Sequence, residues 1–534
     1  MSIIIKQLSY SFPDREELFH NINLSLSSGE KASLVGNNGS GKSTLLKILS
    51  GELNASKGEL FFSEKPYYIP QHFGQYNRLS IAQILGIQNK IDALNRIELG
   101  DVSEENFTIL NDDWNIEERA LSALKTWNLK HLSCNQSIET LSGGEKTKLF
   151  LSGISLHSPK IILMDEPSNH LDLKTRSMLY SFVENTSSTL LIVSHDRKLL
   201  NLLSPTLELH KDRIELYGGN FNFFQAEKKK ETIALQNQLT ESEKELRKAK
   251  KIAAETIERQ NKHSSRGEKK NEKKGIARIV MGNLKNQSEN NAAKLKNTHS
   301  NKIENITNNL SEIKKQINLS QKLKLDIQNA TLHEGKTIVK ATDLNLKYNE
   351  NFLWKNDLNF QIRSGNRVII QGDNGSGKTS LIKLILGQLK PTKGEIRKTD
   401  LNAIYIDQDY SIIQDNLSVF EQVSEYNFQK LLDYEIKTIL NRFLFPEETW
   451  NKPCAVLSGG EKMRLLLCCL QLDNNMPDCF ILDEPTNNLD IRSLEILTSA
   501  IQSYKGTLLL ISHDFYFVEE VIENKEVIWI NLSL

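Results

Sequence analysis

Two stretches lying 336 residues apart, at Gly36 and Gly372, give the same local instruction and leave little freedom over the fold. The first opens with a short apolar run, KASLV (Lys31 to Val35), continues as GNNGSGKST, and passes into LLKILSG with helical periodicity. The second reads GDNGSGKTS from Gly372. Strand, glycine-rich loop and helix in that order, with GxxxxGK[ST] in the loop, predict a phosphate cradle at the carboxyl edge of a parallel sheet. The loop residues are Gly36, Asn37, Asn38, Gly39, Ser40, Gly41, Lys42, Ser43 and Thr44 in the first copy. In the second they are Gly372, Asp373, Asn374, Gly375, Ser376, Gly377, Lys378, Thr379 and Ser380. Glycines let successive backbone N–H groups converge on phosphate oxygens, and the following helix offers its positive end. Lys42 and Lys378 are then placed for the β- and γ-phosphates, and the Ser43 and Thr379 hydroxyls for Mg²⁺.

Each loop is followed by the same series of further signals. KIILMDEPSNHLD and FILDEPTNNLD each end an apolar strand in adjacent carboxylates, Asp165 with Glu166 and Asp483 with Glu484. In each pair the aspartate is a candidate Mg²⁺ ligand, and the glutamate a candidate to orient or deprotonate an attacking water. TLLIVSHD and LLLISHD end in His195 and His513, candidate γ-phosphate contacts at strand ends. LSGGE occurs at Leu141 and at Leu457. There Ser142, Gly143 and Gly144, or Ser458, Gly459 and Gly460, open a helix and form a second phosphate-binding element. One half-chain needs only one such element for one phosphate tail, so LSGGE is expected to serve a different nucleotide. The copies are offset by 336 residues at the phosphate loop but by 316 at LSGGE and 318 at the acids and histidine. The first copy therefore carries about 20 extra residues, expected near residues 80 to 113.

Between the copies, Glu227 to Asp326 contains no Pro, Phe, Tyr or Trp, and 24 Lys and Arg against 13 Asp and Glu. That is +11 within a chain whose total is +0, a local basic feature able to engage a polyanion. Leu235, Leu239, Ser242, Leu246, Ala249, Ala253 and Thr256 step by four and three, as do Ile303, Ile306, Leu310, Ile313 and Ile317. This is the seam of a two-stranded coiled coil. Arms of about 35–40 residues would reach roughly 50–60 Å at 1.5 Å per residue. The tip is expected over Ser264 to Gln287, with three glycines and a basic cluster. There Ile276, Ile279, Val280, Met281 and Leu284 either pack the turn or meet bases of an RNA partner. A solvated linker that only spaces two domains is the plainer alternative.

Length and composition agree with several domains and ample cores, since 534 residues are 39% hydrophobic. Five scattered cysteines without a CxxC (Cys134, Cys454, Cys468, Cys469, Cys479) point to a reducing compartment rather than a disulfide framework. The opening MSIIIKQLSYSF reads as a strand, not a signal peptide, and no run of 18 apolar residues occurs. A soluble, cytoplasmic protein without a membrane partner is expected.

Phosphate loop, LSGGE, DEP strand, LD pair and histidine, in that order and twice, resemble the ATP-binding-cassette ATPases. The resemblance implies that Gln71 (YYIPQ) and Gln408 (AIYIDQ) are the glutamine loops and that Phe12 and Tyr348 stack on adenine. It also implies head-to-tail pairing, with ATP held between one cassette's phosphate loop and the other's LSGGE, which would account for the second phosphate element. Lys42, Ser43, Glu166 and His195 would work with Ser458 and Gly460, and Lys378, Thr379, Glu484 and His513 with Ser142 and Gly144. EPSNHLD, EPTNNLD, the central hairpin and YGGNFNFFQAEKKKE leading into it resemble the ABC-F branch. That branch implies a monomer that binds the ribosome, its rRNA and its tRNA, with the hairpin toward the peptidyl-transferase centre. KKGIARIVMG and KNQSEN incline the comparison toward the antibiotic-resistance group over the housekeeping factors. A transporter ATPase subunit and a DNA-acting ATPase of the same superfamily remain as alternatives. The expected architecture is α/β: two P-loop ATP-binding-cassette domains (1–226 and 337–534) joined by a long antiparallel α-helical coiled-coil hairpin (227–336).

Overall fold

The computed structural model describes residues 2–13, 17–169, 171–272, 293–294, 296–311, 313–314, 335–348, 351–373, 375–399, 401–473, 477–487, 489–523 and 525–532. Its two compact units are Met1–Asn222 with Leu323–Leu534, and Phe223–Lys322.

The first unit contains the same α/β arrangement twice. In the first cassette six strands run in the order Tyr67–Ile69, Ile161–Asp165, Thr189–Val193, Lys31–Val35, Thr206–Leu209, Ile214–Tyr217. All neighbouring pairs are parallel except the last. In the second the order is Ala403–Ile406, Cys479–Asp483, Thr507–Ile511, Arg367–Gln371, Val527–Asn531, all parallel. Helices cover such sheets on both faces, so the central strands are apolar throughout. Every residue of Ile161–Asp165, Thr189–Val193, Cys479–Asp483 and Thr507–Ile511 is buried. A three-stranded antiparallel sheet packs against each core: Glu17–Leu26, Ile3–Ser11, Lys57–Phe62 in one cassette, and Leu358–Arg363, Thr337–Asn345, Lys393–Lys398 in the other. Cys468 and Cys469 are buried free thiols among apolar side chains, as small core residues would be.

The extra length of the first cassette is helical. Sixty-two positions separate Ser80 from Ser142 and 40 separate Ser418 from Ser458, a difference of 22. Among the described residues, helices Gln88–Glu98 and Glu104–Leu110 have no counterpart between Val419–Glu425 and Asp433–Arg442. Ile91, Leu94 and Leu110 bury against Leu124, Leu149 and Leu156, so the insertion joins the existing helical layer.

The second unit is helical. Its first arm belongs to a helix of 52 residues, Phe221–Glu272, longer than the 35–40 expected. At 1.5 Å per residue that is roughly 78 Å. Ser264 to Glu272, assigned above to the tip, continue this helix. Ser264, Ser265 and Gly267 are poor helix formers, but Lys, Arg and Glu around them are good ones, and a helix already propagating tolerates isolated weak residues. A second helix covers 296–311. Ala253, Leu310 and Ile313 are buried, while Leu235, Leu239, Ser242, Leu246, Ala249, Thr256, Ile303 and Ile306 are half-buried between exposed neighbours. The apolar stripes read from the sequence are thus the covered faces of the two helices. Lys314 Nζ lies 3.2 Å from Glu243 Oε1, joining the second arm to the first. Ile317 and the tip residues Ile276, Ile279, Val280, Met281 and Leu284 lie outside the described residues. Among those described, no helix is long and apolar enough to cross a membrane.

Candidate active site

Each phosphate loop leaves the end of a buried strand and turns into a helix through a left-handed glycine. Gly41 (φ 95°) precedes Lys42–Ser50 and Gly377 (φ 87°) precedes Lys378–Leu386. A Cβ at Gly41 would come within 2.8 Å of Leu18 Cδ2, and one at Gly377 within 2.5 Å of Leu353 Cδ2. Both backbone angle and space therefore call for glycine. The lysines curl into their own loops. Lys42 Nζ donates to the Gly36 and Asn37 carbonyls (2.9 and 3.1 Å), and Lys378 Nζ to those of Gly372 and Asp373 (2.8 and 3.2 Å). Burial lowers both lysine pKa values, so each ammonium gains from an anion beside it. Asn374 lies outside the described residues.

Two carboxylates follow in each copy. Asp165 is 1% exposed and lies against the Ser43 and Tyr68 hydroxyls. Asp483 Oδ2 accepts from Thr379 Oγ1 (3.1 Å) and from Tyr405 OH (3.0 Å). Burial pushes the pKa of both aspartates up. A buried carboxylate beside a loop hydroxyl fits a hard, oxygen-seeking cation such as Mg²⁺. Tyr405 was not singled out by sequence motifs; its strand pairs with the one that ends in Asp483.

Glu166 and Glu484 sit in the left-handed region, at φ 51° and 49°. That conformation is unusual for glutamate and is held by the sheet: Glu166 N donates to Val193 O (2.8 Å) and Glu484 N to Ile511 O (2.9 Å). The turn brings each carboxyl to the end of the neighbouring strand. His195 N donates to Glu166 Oε2 (3.2 Å) and His513 N to Glu484 Oε2 (3.4 Å). The imidazole Nε2 is 3.3 Å from the same glutamate's Oε1 in both copies. Burial, with Asp165 adding to it, pushes Glu166 up to about 8. Burial pushes Glu484 up to about 7, opposed by Arg176 and Lys378. Burial and the neighbouring lysine push His195 down to about 4 and His513 down to about 3. At pH 7 the two histidines are neutral, so these contacts are not ion pairs. The carboxyls are poised near neutrality, the useful range for a general base.

Ser142 and Ser458 cap the helices Gly143–His157 and Gly459–Leu472 through matching capping boxes with Glu145 and Glu461. A cavity of about 480 Å³ is lined by Ser142, Gly143 and Gly144 from the first cassette. The opposite wall is Gly375 to Ser380, Gln408, Asp483, Glu484 and His513 from the second. The converse approach is visible at Gly460, where a Cβ would lie 3.6 Å from Asn38 Nδ2. Asp490 bears electrostatically on Lys42 and His195, and Asp172 on Lys378 and His513, each across the cassette boundary. These two aspartates close the LD pairs noted in the sequence; their reach into the opposite cassette was not legible there.

Among the remaining candidates, Gln408 lines that cavity. Gln71 follows the strand Tyr67–Ile69 as Gln408 follows Ala403–Ile406. Phe12 is 39% exposed, with its ring edge-on to Tyr10 at 5.6 Å. Tyr348 lies in a short strand pairing with Asn351. Beside it Phe352, absent from the candidates, is exposed, with Lys347 Nζ 4.8 Å from its ring centre.

A family profile described as "ABC transporter" matches residues 19–169 and 355–487. The chain is 31% identical to "ATP-binding protein Uup" of Buchnera aphidicola subsp. Schizaphis graminum, covering 97% of this chain and 79% of that one. It is 29% identical to "Putative ATP-binding protein YdiF" of Bacillus subtilis (98% and 79%). It is 27% identical to "ABC transporter F family member 2" of Arabidopsis thaliana (92% and 72%). Among solved structures it resembles the archaeal ribosome recycling factor aABCE1, solved with the stalk protein aP1, at a TM-score of 0.56 and 18% identity, over 96% of this chain and 86% of that one. "RNase-L Inhibitor" gives 0.55 at 18% identity, over 97% and 86%. These two share the fold.

Proposed function

The chain belongs to the ABC-F family of ATP-binding-cassette ATPases, and from that premise we propose a cytoplasmic switch that hydrolyses ATP at two composite sites and acts on the ribosome. The observation that carries the reading is the cavity in which Ser142 to Gly144 of one cassette face Lys378, Glu484 and His513 of the other. An LSGGE helix end gains its phosphate only when the cassettes are together, so ATP favours the closed state.

In each site the loop N–H groups and the lysine bind the β- and γ-phosphates. Glu166 or Glu484 orients the water that attacks the γ-phosphorus and takes its proton. His195 or His513 donates to a γ-phosphate oxygen. Mg²⁺, which Asp165 with Ser43 and Asp483 with Thr379 would hold, draws charge from the phosphate oxygens when bound. Phe12 and Tyr348 stack on adenine, and Gln71 and Gln408 sense the γ-phosphate. Hydrolysis removes the ligand that bridges the cassettes, and they part.

The basic hairpin is the effector. Its +11 charge over Glu227 to Asp326 suits RNA phosphates, and its length suits a reach toward tRNA and the peptidyl-transferase centre. The tandem-cassette fold is also that of the archaeal ribosome recycling factor aABCE1. Protection against ribosome-targeting antibiotics is the role we favour within the family. The Glu166→Gln, Glu484→Gln protein should co-sediment with 70S ribosomes in ATP and not without it. Absence of binding in both conditions would overturn the ribosomal reading and leave the ATPase.

A further inference from the structure

The two composite sites differ at one buried position. Asp172 and Asp490 are equivalent: each caps the next helix, accepting from Thr175 N at 2.8 Å and from Ser493 N at 2.6 Å. Four residues on from these caps stand Arg176 and Leu494, 7% and 3% exposed. Arg176 Nε donates to Leu171 O (3.1 Å) in its own cassette. Its NH1 crosses the boundary and donates to the main-chain carbonyl of His513 (3.3 Å), with Asp196 Oδ2 at 3.8 Å. Arg176 also lines the cavity shared with Lys378, Glu484 and His513. Leu494 has the same place on its helix and no donor to offer the His195 segment.

We propose that Arg176 of the first cassette is a positioning residue for the second cassette's ATP site, with Leu494 in its place at the first, so that the two sites turn over unequally and the second is faster. This rests on the composite-site reading above. A guanidinium holds several acceptors in one plane, so it fixes the carbonyl of the histidine segment relative to Leu171 of the opposing cassette. His513 is thereby kept where its Nε2 lies 3.3 Å from Glu484 Oε1 and 3.4 Å from Lys378 Nζ. The metal-side contacts do not distinguish the sites: Asp483 accepts from Thr379 and Tyr405, and Asp165 lies against the equivalent Ser43 and Tyr68. Arg197 strengthens the same side, with NH1 2.6 Å from Glu520 Oε1 of the second cassette. Phe515 stands at the position equivalent to Arg197.

The test is steady-state ATPase kinetics on the full chain, with one site silenced at a time. Glu166→Gln leaves the second site and Glu484→Gln leaves the first. Arg176→Leu should lower kcat roughly tenfold in the Glu166→Gln background, the value of one charge-assisted hydrogen bond, with KM changed less than about threefold. In the Glu484→Gln background kcat should change less than about twofold, and Arg176→Lys should restore part of the loss. Arg176→Gln replaces Leu if the latter lowers the melting temperature. Equal losses in both backgrounds, no loss in either, or a change in KM alone would overturn the proposal and leave the composite pairing intact. A loss confined to the Glu484→Gln background would overturn the pairing as well.

Discussion

Glu166 and Glu484 concentrate several unfavourable features in one residue: a left-handed backbone, nearly complete burial, and an adjacent aspartate. Such features persist where the surrounding structure enforces them. Their consequence for stability has a definite sign. A carboxyl whose folded pKa is raised keeps its proton in the native state. Stability is then fully present below the unfolded value near 4.5 and falls as pH rises toward about 8 for Glu166 and about 7 for Glu484. Glutamine does not ionise. In protein free of metal and nucleotide, Glu166→Gln with Glu484→Gln should therefore raise the melting temperature at pH 8.5, and the gain over wild type should shrink toward zero by about pH 5. A difference independent of pH, followed by calorimetry, would show that packing and not ionisation sets it. At Gly377 the backbone and the contact with Leu353 both oppose a side chain, so Gly377→Ala should cost at least about 1 kcal/mol in urea unfolding.

At the scale of elements, the described side chains of the hairpin are buried along one narrow seam and otherwise face solvent. Leu310 is 5% exposed in a segment with few other buried side chains. Leu310→Ala should lose about 2–3 kcal/mol of local stability, read as faster amide exchange over 296–311 with unchanged exchange in the buried sheet strands. If exchange stays the same, Leu310 is not a principal contact of the seam. The charge of the arms gives a second expectation. ATP-dependent ribosome binding should weaken by about tenfold or more between 50 and 200 mM salt, because it releases counterions from RNA. Changing Lys269, Lys270, Lys273 and Lys274 to Gln should flatten that dependence.

At the scale of the whole molecule, the chain is a pair of similar machines made unlike by what lies at their boundary. Arg197 with Glu520 and Arg176 with the His513 carbonyl both extend from the first cassette to the second. Arg197 is 8% exposed and its partner's side chain 40%, so the pair is only partly desolvated. Arg197→Ala should raise the KM for ATP by about two- to fivefold, with little change in kcat, because it weakens closure and not chemistry. An equal fall in kcat would place Arg197 in the chemical step instead.

Much of this architecture is written locally. The loops need glycine because backbone angle and space near Gly41 and Gly377 exclude a side chain, and the helices begin at Ser142 and Ser458 because the capping box lies within four residues. The central strands are apolar because both faces are covered, and the hairpin seam repeats because its helices meet along one stripe. Signals that short survive in a linear text. The sequence also marked the 20-residue surplus of the first cassette, though not that it forms two helices packed on Leu149 and Leu156. Only the tertiary structure decided what faces what. It set the left-handed turn at each glutamate, the continuation of the long helix to Glu272, and the approach of Ser142 to Lys378. It also set Arg176 against a carbonyl 337 residues away. Contacts of that separation depend on how two finished domains meet, and no local periodicity in the chain encodes their meeting.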